Sequence, residues 1–187
     1  PEKCGINPSD IQVLSPMRMG VIGTANLNLK LQNALNPSKV AIKYGFTEFR
    51  INDKIMQIRN NYEKKVFNGD IGFISNIDSS SGTITAIFDD AIATYEREEF
   101  NEIVLAYATT IHKSQGSEFP FVIMPMMMTH FIMLQRNLLY TGVTRAKKGL
   151  FLIGEKRAVF TAVNNNKIQE RNTNLEARLK NYAVFFN

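Results

Sequence analysis

The sequence predicts an α/β fold built on a parallel sheet and interrupted by a small antiparallel β-barrel. Three observations carry that expectation. Apolar, strand-like runs alternate with helical stretches towards both ends of the chain: IQVLSP near the start, then IVLAYA, PFVIMPM and GLFLIG. Such alternation implies parallel pairing in a sheet covered on both faces. Between these parts, from about Lys54 to Phe100, period-two alternation and turn residues take over, with NGD (Asn68 to Asp70) and DSSSG (Asp78 to Gly82) as breaks. The length is the third: 187 residues, 44% of them hydrophobic, suit one compact domain with a small insertion.

The elements follow in order. IQVLSP reads as a short strand, MRMGVIG as a loop and the next stretch as a helix with Thr24 at its N-cap. Leu27, Leu31 and Leu35 recur every fourth residue on one face of that helix, and Asn36-Pro37 ends it. KIMQIR, IGFISNI, TITAIFD and ATYEREEF read as the short strands of the barrel. Asp89-Asp90 after an apolar run imitates an acidic metal-binding motif, but the preceding tight turn favours a hairpin strand. After IVLAYA comes the polar run TIHKSQGSEF, then the strand PFVIMPM, a helix over LQRNLLYTGVTRAKK and the strand GLFLIG. On that helix Leu139, Val143 and Ala146 should face the sheet, with Arg145 pointing elsewhere.

Composition narrows the setting. Lys and Arg total 22 against 17 Asp and Glu, for a formal charge of +5 and a pI near 9.3, a balance that favours an anionic partner such as nucleic acid. Cys4 is the single cysteine, which excludes an internal disulfide and a cysteine-built zinc site and points to a reducing, cytoplasmic compartment. The start, PEKCGINPSD, has no signal-peptide pattern. Phe119 to Leu134 lacks charged residues but is too short for a membrane span and is interrupted by Pro120, Pro125 and His130. Opening on Pro1, the chain reads as part of something longer.

Thr110 to Glu118 is the chemically dense stretch. Thr110, Ile111 and His112 leave a strand, Lys113 to Gln115 can start a short helix, and Gly116 permits backbone geometry that other residues resist. Backbone N–H groups beside a hydroxyl, an amide and cations suit phosphate oxygens. Glu118, an anion, suits sugar hydroxyls better. On spacing alone, a nucleotide or nucleic-acid contact and a hydrophilic loop are equally good readings.

AYATTIHKSQGSEF (Ala106 to Phe119) followed by LLYTGVTRAKK (Leu138 to Lys148) resembles motifs V and VI of superfamily 1 helicases of the RecD/TraA type. VLSPMRMGVIGTANLNLKLQNALNP (Val13 to Pro37) resembles their motif IV region, DKIMQIRNNYEKKVFNGDIGFI (Asp53 to Ile74) the start of their barrel, and VNNNKIQERNTNLEARL (Val163 to Leu179) their C-terminal segment. HKSQG is shared with Pif1-like and relaxase-linked helicases, so the resemblance is to the superfamily before any subtype.

The resemblance implies a RecA-like, P-loop-NTPase-type second motor domain, over residues 1–53 and 101–187, with an SH3-like barrel inserted at 54–100 and a helical C-terminal segment. It implies that Arg145 reaches the γ-phosphate as an arginine finger, the other reading being an arginine that stabilises its helix's C-terminal end. Gln115 and Gly116 would line the ATP side, Glu118 the ribose, and Arg18 would be a second phosphate contact. Thr110, His112 and Lys113 would face DNA phosphates, with Asn60, Asn61 and Lys65 as backbone contacts beside the barrel and Tyr62 either stacking on a base or packing. No G-x-x-x-x-G-K-[ST] occurs in the 187 residues. ATP and Mg²⁺ are therefore expected in an intact parent that supplies a first RecA-like domain, and this chain alone is expected to bind neither. No metal ligand is assigned. Single-stranded DNA is the expected partner, translocation 5′ to 3′ the expected activity, and a monomer the expected state of the fragment. The competing function is a non-catalytic nucleic-acid-binding module that keeps the fold without the motor.

Overall fold

The computed structural model describes residues 5–166; the segment resembling the family's C-terminus lies largely outside them. Asn7 caps a 3-10 turn at Pro8–Asp10 by accepting from Ser9 N at 3.1 Å, and the chain enters β1 (Ile11–Ser15). Helix α1 (Thr24–Leu35) follows, its N-cap at Gly23, one residue before Thr24, because Gly23 is the last extended residue and a side chain there would collide with the Arg18 and Met19 backbone. Asn36 closes α1 by donating its N–H to Gln32 O. The antiparallel part comprises β2 (Ala41–Tyr44), β3 (Thr47–Arg50), β4 (Lys54–Gln57), β5 (Ile71–Asp78), β6 (Thr83–Phe88), β7 (Ile92–Tyr95) and β8 (Ile103–Leu105). The chain then runs through β9 (Ala108–Thr110), β10 (Phe119–Met126), α2 (Arg136–Val143), β11 (Ala146–Gly154) and α3 (Lys156–Asn164).

The parallel sheet has the order β11-β10-β1-β9, and the antiparallel sheet the order β7-β6-β5-β4-β8. Each has its own core. Leu14, Ile111, Val122, Met124 and Leu138 centre the first, and Phe49, Ile55, Ile74, Ile84, Tyr95 and Phe100 the second. Phe49 belongs to the β2–β3 hairpin, so that hairpin closes the barrel's core although it lies before Lys54. At the other side β8 pairs antiparallel with β4, Ile55 opposite Leu105. Strand pairing thus carries the antiparallel unit beyond residues 54–100 in both directions. IVLAYA, read as one strand, is split: Ile103–Leu105 pairs in the barrel, and the chain passes to the parallel sheet at Ala106 and Tyr107. Asp89-Asp90 falls in the β6–β7 turn of the hairpin, as expected.

Two helices depart from the pattern. Helix α1 buries Thr24, Asn28 and Gln32, while Leu27 and Leu31 are half-buried and Leu35 is exposed. The reason is what the helix packs against. Asn28 exchanges two bonds with the backbone of edge residue Ala108, donating Nδ2 to its carbonyl at 2.9 Å and accepting its N–H at 2.8 Å. Gln32 and Asn36 donate to the carbonyls of Glu48 and Ile51 and both reach the Asp53 carboxylate. Edge-strand and hairpin backbones need polar partners, so amides outcompete leucines for that face. Helix α2 ends at Val143, because Ala146 and its neighbours pair with β10 from Phe119 onwards. Its sheet-facing residues are Leu138 and Gly142, with Leu139 partly buried; Val143 is exposed and Ala146 already lies in β11. β11 forms the sheet edge, with Phe151, Leu152 and Ile153 exposed among the described residues.

Candidate nucleotide and nucleic-acid interface

β1 and β9 are parallel neighbours with Ser15 beside Thr110, so the loops following them leave the same edge of the sheet. Ile111 N donates to Ser15 O at 3.1 Å and ties the two departures together. This parallel geometry at strand carboxyl ends is where α/β sheets gather ligands. The loop then crosses the sheet, burying Ile111 and Ser114, and joins β10 where Phe119 lies opposite Ala146, at the amino ends of β10 and β11. Its start and its end therefore face different surroundings.

The start opens on a cleft of about 330 Å³ that brings together Thr110, Lys113, Arg18 and the N-terminal residues of α1, with the β2–β3 hairpin opposite. Arg18, expected with the nucleotide residues, sits here beside two residues expected on DNA. The first N–H groups of α1 cannot serve an anion, since Thr24 N and Ala25 N donate to the carbonyls of Met17 and Arg18. His112 is exposed at the same turn. Lys113 N donates to Thr110 Oγ1 at 3.3 Å, which fixes the turn while leaving the lysine side chain exposed.

The loop's end opens on a second cleft, of about 550 Å³, lined by Ser117 and Glu118 and, across it, by Lys65, Asp89 and Asp90 of the barrel. Lys65, expected on DNA, thus shares a cavity with Glu118, expected on a nucleotide. Glu118 pairs with Lys147 at 3.1 Å, both side chains more than half exposed, an ion pair of small energetic weight. Gln115 and Gly116 are exposed between the two clefts, Gly116 at φ +89°, where a side chain would be strained. Ser114 offers nothing to a ligand: its hydroxyl donates to Ile111 O at 2.8 Å and the residue is fully buried. The N–H groups of Ser114, Gln115 and Ser117 are likewise engaged within the loop. The loop therefore offers an anion side chains more than a backbone cradle.

Arg145 is the side chain the fold delivers to that loop. Its Nη1 donates to Ser117 O at 3.0 Å, its Nε to Thr141 O at 3.1 Å and its Nη2 to Thr144 Oγ1 at 3.2 Å. The bond to Thr141 is the helix-end role weighed from sequence; the bond to Ser117 is more than that role requires. Gly142 lets α2 pack closely on β10, since a methyl there would come within 2.6 Å of Met124 Cε and require that side chain to move.

The barrel residues divide. Asn61 accepts from Lys64 N and donates to Glu102, both at 3.1 Å, and Asn60 accepts from Asn68 N at 2.9 Å. Both side chains therefore shape the turn that leads to Asp70. Tyr62 is exposed, edge-on to Phe67 at 5.9 Å, and is not packed inside. Beneath the interface lies Asp53, fully buried, whose carboxylate accepts from Gln32 at 2.6 Å, Asn36 at 2.7 Å, Arg50 N at 2.7 Å and Tyr107 Oη at 2.8 Å. It fastens α1, the hairpin and the barrel-to-sheet crossover to one point. Among the described residues no group of three or more His, Cys, Asp or Glu is placed to hold a metal ion, and no helix is long and apolar enough to cross a membrane.

Comparison with known proteins agrees with this fold. Residues 105–153 match the UvrD-like helicase C-terminal domain, and residues 27–88 the SH3 domain of ATP-dependent RecD-like DNA helicases. The ATP-dependent RecD2 DNA helicase of Deinococcus radiodurans is 34% identical over 173 residues, covering 92% of this chain and 24% of its own length. The RecBCD enzyme subunit RecD of Buchnera aphidicola is 34% identical over 167 residues, covering 84% of this chain and 27% of its own. The chain thus spans about a quarter of these relatives. Among solved structures, one describing DNA unwinding at forked duplex by two coordinating Pif1 helicases has a TM-score of 0.60 at 16% identity, covering 94% of this chain and 44% of that one. The Pif1 helicase of Candida albicans has a TM-score of 0.56 at 15% identity, covering 97% and 50%. At such identity these structures establish the fold. With both domain matches and the RecD relatives in agreement, the chain belongs to the RecD-like superfamily 1 helicases, carrying their SH3 domain and their UvrD-like C-terminal helicase domain.

Proposed function

We propose that this chain is the second motor half of an ATP-dependent helicase that moves on single-stranded DNA in the cytoplasm, completed by a domain that carries the phosphate-binding loop. One observation carries the reading: a single loop, Ile111 to Glu118, opens at its start on the cleft of Arg18 and Lys113 and at its end is tied to Arg145. One ligand at each end of one loop is the arrangement a motor needs to couple hydrolysis to movement.

Thr110, His112 and Lys113 face the DNA backbone, and Arg18, from the same cleft, joins them. Gln115, Gly116 and Glu118 face the nucleotide, with Glu118 accepting from ribose hydroxyls. The donor set fits a triphosphate in part, since Arg145, Lys147 and, across the cleft, Lys65 are cations beside the end of the loop and none is deeply buried. ATP hydrolysis supplies the free energy for movement, and its Mg²⁺ is assigned to no residue of this chain. Arg145 offsets the negative charge that develops on the transferred phosphoryl group, and Ser117 O holds the guanidinium in place until then. Lys65, with Asn60 and Asn61 shaping its turn, faces the end of the loop across the second cleft and extends the DNA path there.

The test has two arms. The 187-residue chain should bind a labelled oligonucleotide with an affinity that falls as salt rises, because phosphate contacts release counterions. In the longer protein, Arg145→Ala should abolish most DNA-stimulated ATP turnover. A chain that binds no single strand at low salt, or an Arg145→Ala protein with wild-type turnover, would overturn the reading.

A further inference from the structure

The β2–β3 hairpin turns through Gly45, at φ +59°, and presents Phe46 at its tip with a relative exposure of 107%, clear of its own domain. The stem beneath is firm. It is paired from Ala41 with Arg50 to Tyr44 with Thr47, and Phe49 roots it in the barrel core edge-on to Phe100 at 6.2 Å. Arg50 bolts the hairpin to α1, donating to Asn36 O at 3.1 Å and to Asn33 Oδ1 at 2.8 Å. The stem packs into the barrel through Phe49, whereas the exposed Phe46 ring at its tip adds nothing to that packing.

Phe46 lines the 330 Å³ cleft in company. Leu29 and Met56 supply apolar wall, while Arg18, Thr110 and Lys113 supply the polar rim. Among the described residues neither Arg18 nor Lys113 makes an ion pair. A flat aromatic face, an apolar wall and unpaired cations at the rim fit a ligand that is itself flat, aromatic and tied to an anion. We propose that this cleft takes one base of the single strand, stacked on Phe46, with its flanking phosphates towards Arg18 and Lys113. The inference rests on the reading of Thr110 to Lys113 as a DNA contact and adds to it a base site supplied by the barrel. Such stacking tolerates any base, because every base has a π-face, and so suits a protein that must travel along arbitrary sequence.

Phe46 is fully exposed, so its replacement should leave the fold intact, which circular dichroism and the urea midpoint verify. Anisotropy titrations of the 187-residue chain at several salt concentrations would use a fluorescein-labelled oligothymidylate and a strand of equal length made entirely of abasic residues. The wild type should prefer the base-bearing strand. Phe46→Ala should weaken binding to that strand by about 5- to 100-fold, the loss of one base–aromatic stack, and should remove the preference over the abasic strand. The slope of affinity against salt should not change, since no phosphate contact is lost. Phe46→Trp should restore the preference. A Phe46→Ala chain that binds and discriminates like the wild type, or a wild type that binds both strands equally, would sink the base site while leaving the phosphate contacts standing. A wild type that binds neither strand at low salt would remove the DNA reading itself, and the base site with it.

Discussion

Arg145 and Ser117 are joined by a 3.0 Å bond from the guanidinium to the Ser117 carbonyl, and the adjoining Phe119 N–H donates back to Arg145 O at 2.8 Å. Two hydrogen bonds therefore tie the end of the loop to the turn after α2. In the longer protein, Arg145→Ala should reduce ATP turnover by about 10³- to 10⁵-fold, the range for loss of an arginine finger. Arg145→Lys should not rescue it, because an ammonium cannot hold Ser117 O and a phosphate oxygen in the planar fork a guanidinium provides. Single-strand binding should stay within about twofold, as the finger acts on the transition state. Steady-state hydrolysis with and without DNA measures the first; near-wild-type turnover in the alanine protein would reduce Arg145 to a helix-end residue.

Lys113 and His112 stand at the loop's other end. If Lys113 neutralises a phosphate, Lys113→Ala should weaken binding to all sequences alike and lower the slope of log affinity against log salt by about 1. His112→Ala should cut DNA-stimulated turnover more than basal hydrolysis. Titrations at several salt concentrations decide the lysine: an unchanged slope means that it points at no phosphate.

Asp53 is the joint between the two cores. Its removal strands the Arg50 N–H and the Tyr107 hydroxyl and takes one of two partners from the amides of Gln32 and Asn36, which keep the Glu48 and Ile51 carbonyls. Each buried donor left unsatisfied costs about 1–3 kcal/mol, so Asp53→Ala should lose about 3 kcal/mol or more, non-additively. Asp53→Asn retains one carbonyl acceptor and should lose less. Urea unfolding of the isolated chain gives both numbers, and a loss below about 1 kcal/mol for the alanine variant would mean that water replaces the carboxylate easily.

Much of the order of the strands and helices was legible because periodicity and turn residues are local signals: IQVLSP, PFVIMPM and TITAIFD became the strands they resemble, whereas the β2–β3 hairpin was not read and the end of ATYEREEF is a 3-10 helix. What escaped depended on distant partners. Nothing within IVLAYA marks that its first three residues join one sheet and its last, Ala108, another. The leucines of α1 imitate a core stripe, but the face of Asn28 and Gln32 is buried because Ala108 and Asp53, far along the chain, need amides. Ala146, Lys147 and Lys148 are good helix formers, yet they open β11, and Ala146 pairs with Phe119 of β10. At the loop, motif order singled out Thr110, His112 and Lys113 as candidates, whereas the burial of Ser114 and the separation of the loop's ends onto two clefts follow from its path across the sheet. Phe46 carried no motif and stands out only once its exposure is seen.

Lys54 gives the chain a measurable pH dependence. Its ammonium is buried at the base of the barrel and donates to Ser9 O at 3.3 Å and Ile11 O at 3.2 Å. Burial pushes its pKa down from 10.5 to about 8, with Asp10 acting weakly in the opposite sense. Between those values the unfolded chain binds the proton more tightly than the folded one, so stability from this group rises with pH across that window. Between pH 7 and 9 the gain should be about 1 kcal/mol. Above pH 10 it should be opposed by Tyr95 and Tyr107: burial, with Glu102 near the first and Asp53 near the second, raises both above the ordinary tyrosine value, so the unfolded chain ionises first. Urea midpoints at intervals from pH 7 to 10.5 should therefore rise and then flatten or fall. Lys54→Met should remove the rise whatever it does to absolute stability. A wild-type midpoint that stays level between pH 7 and 9 would show that water reaches the Lys54 ammonium and holds its pKa near 10.5.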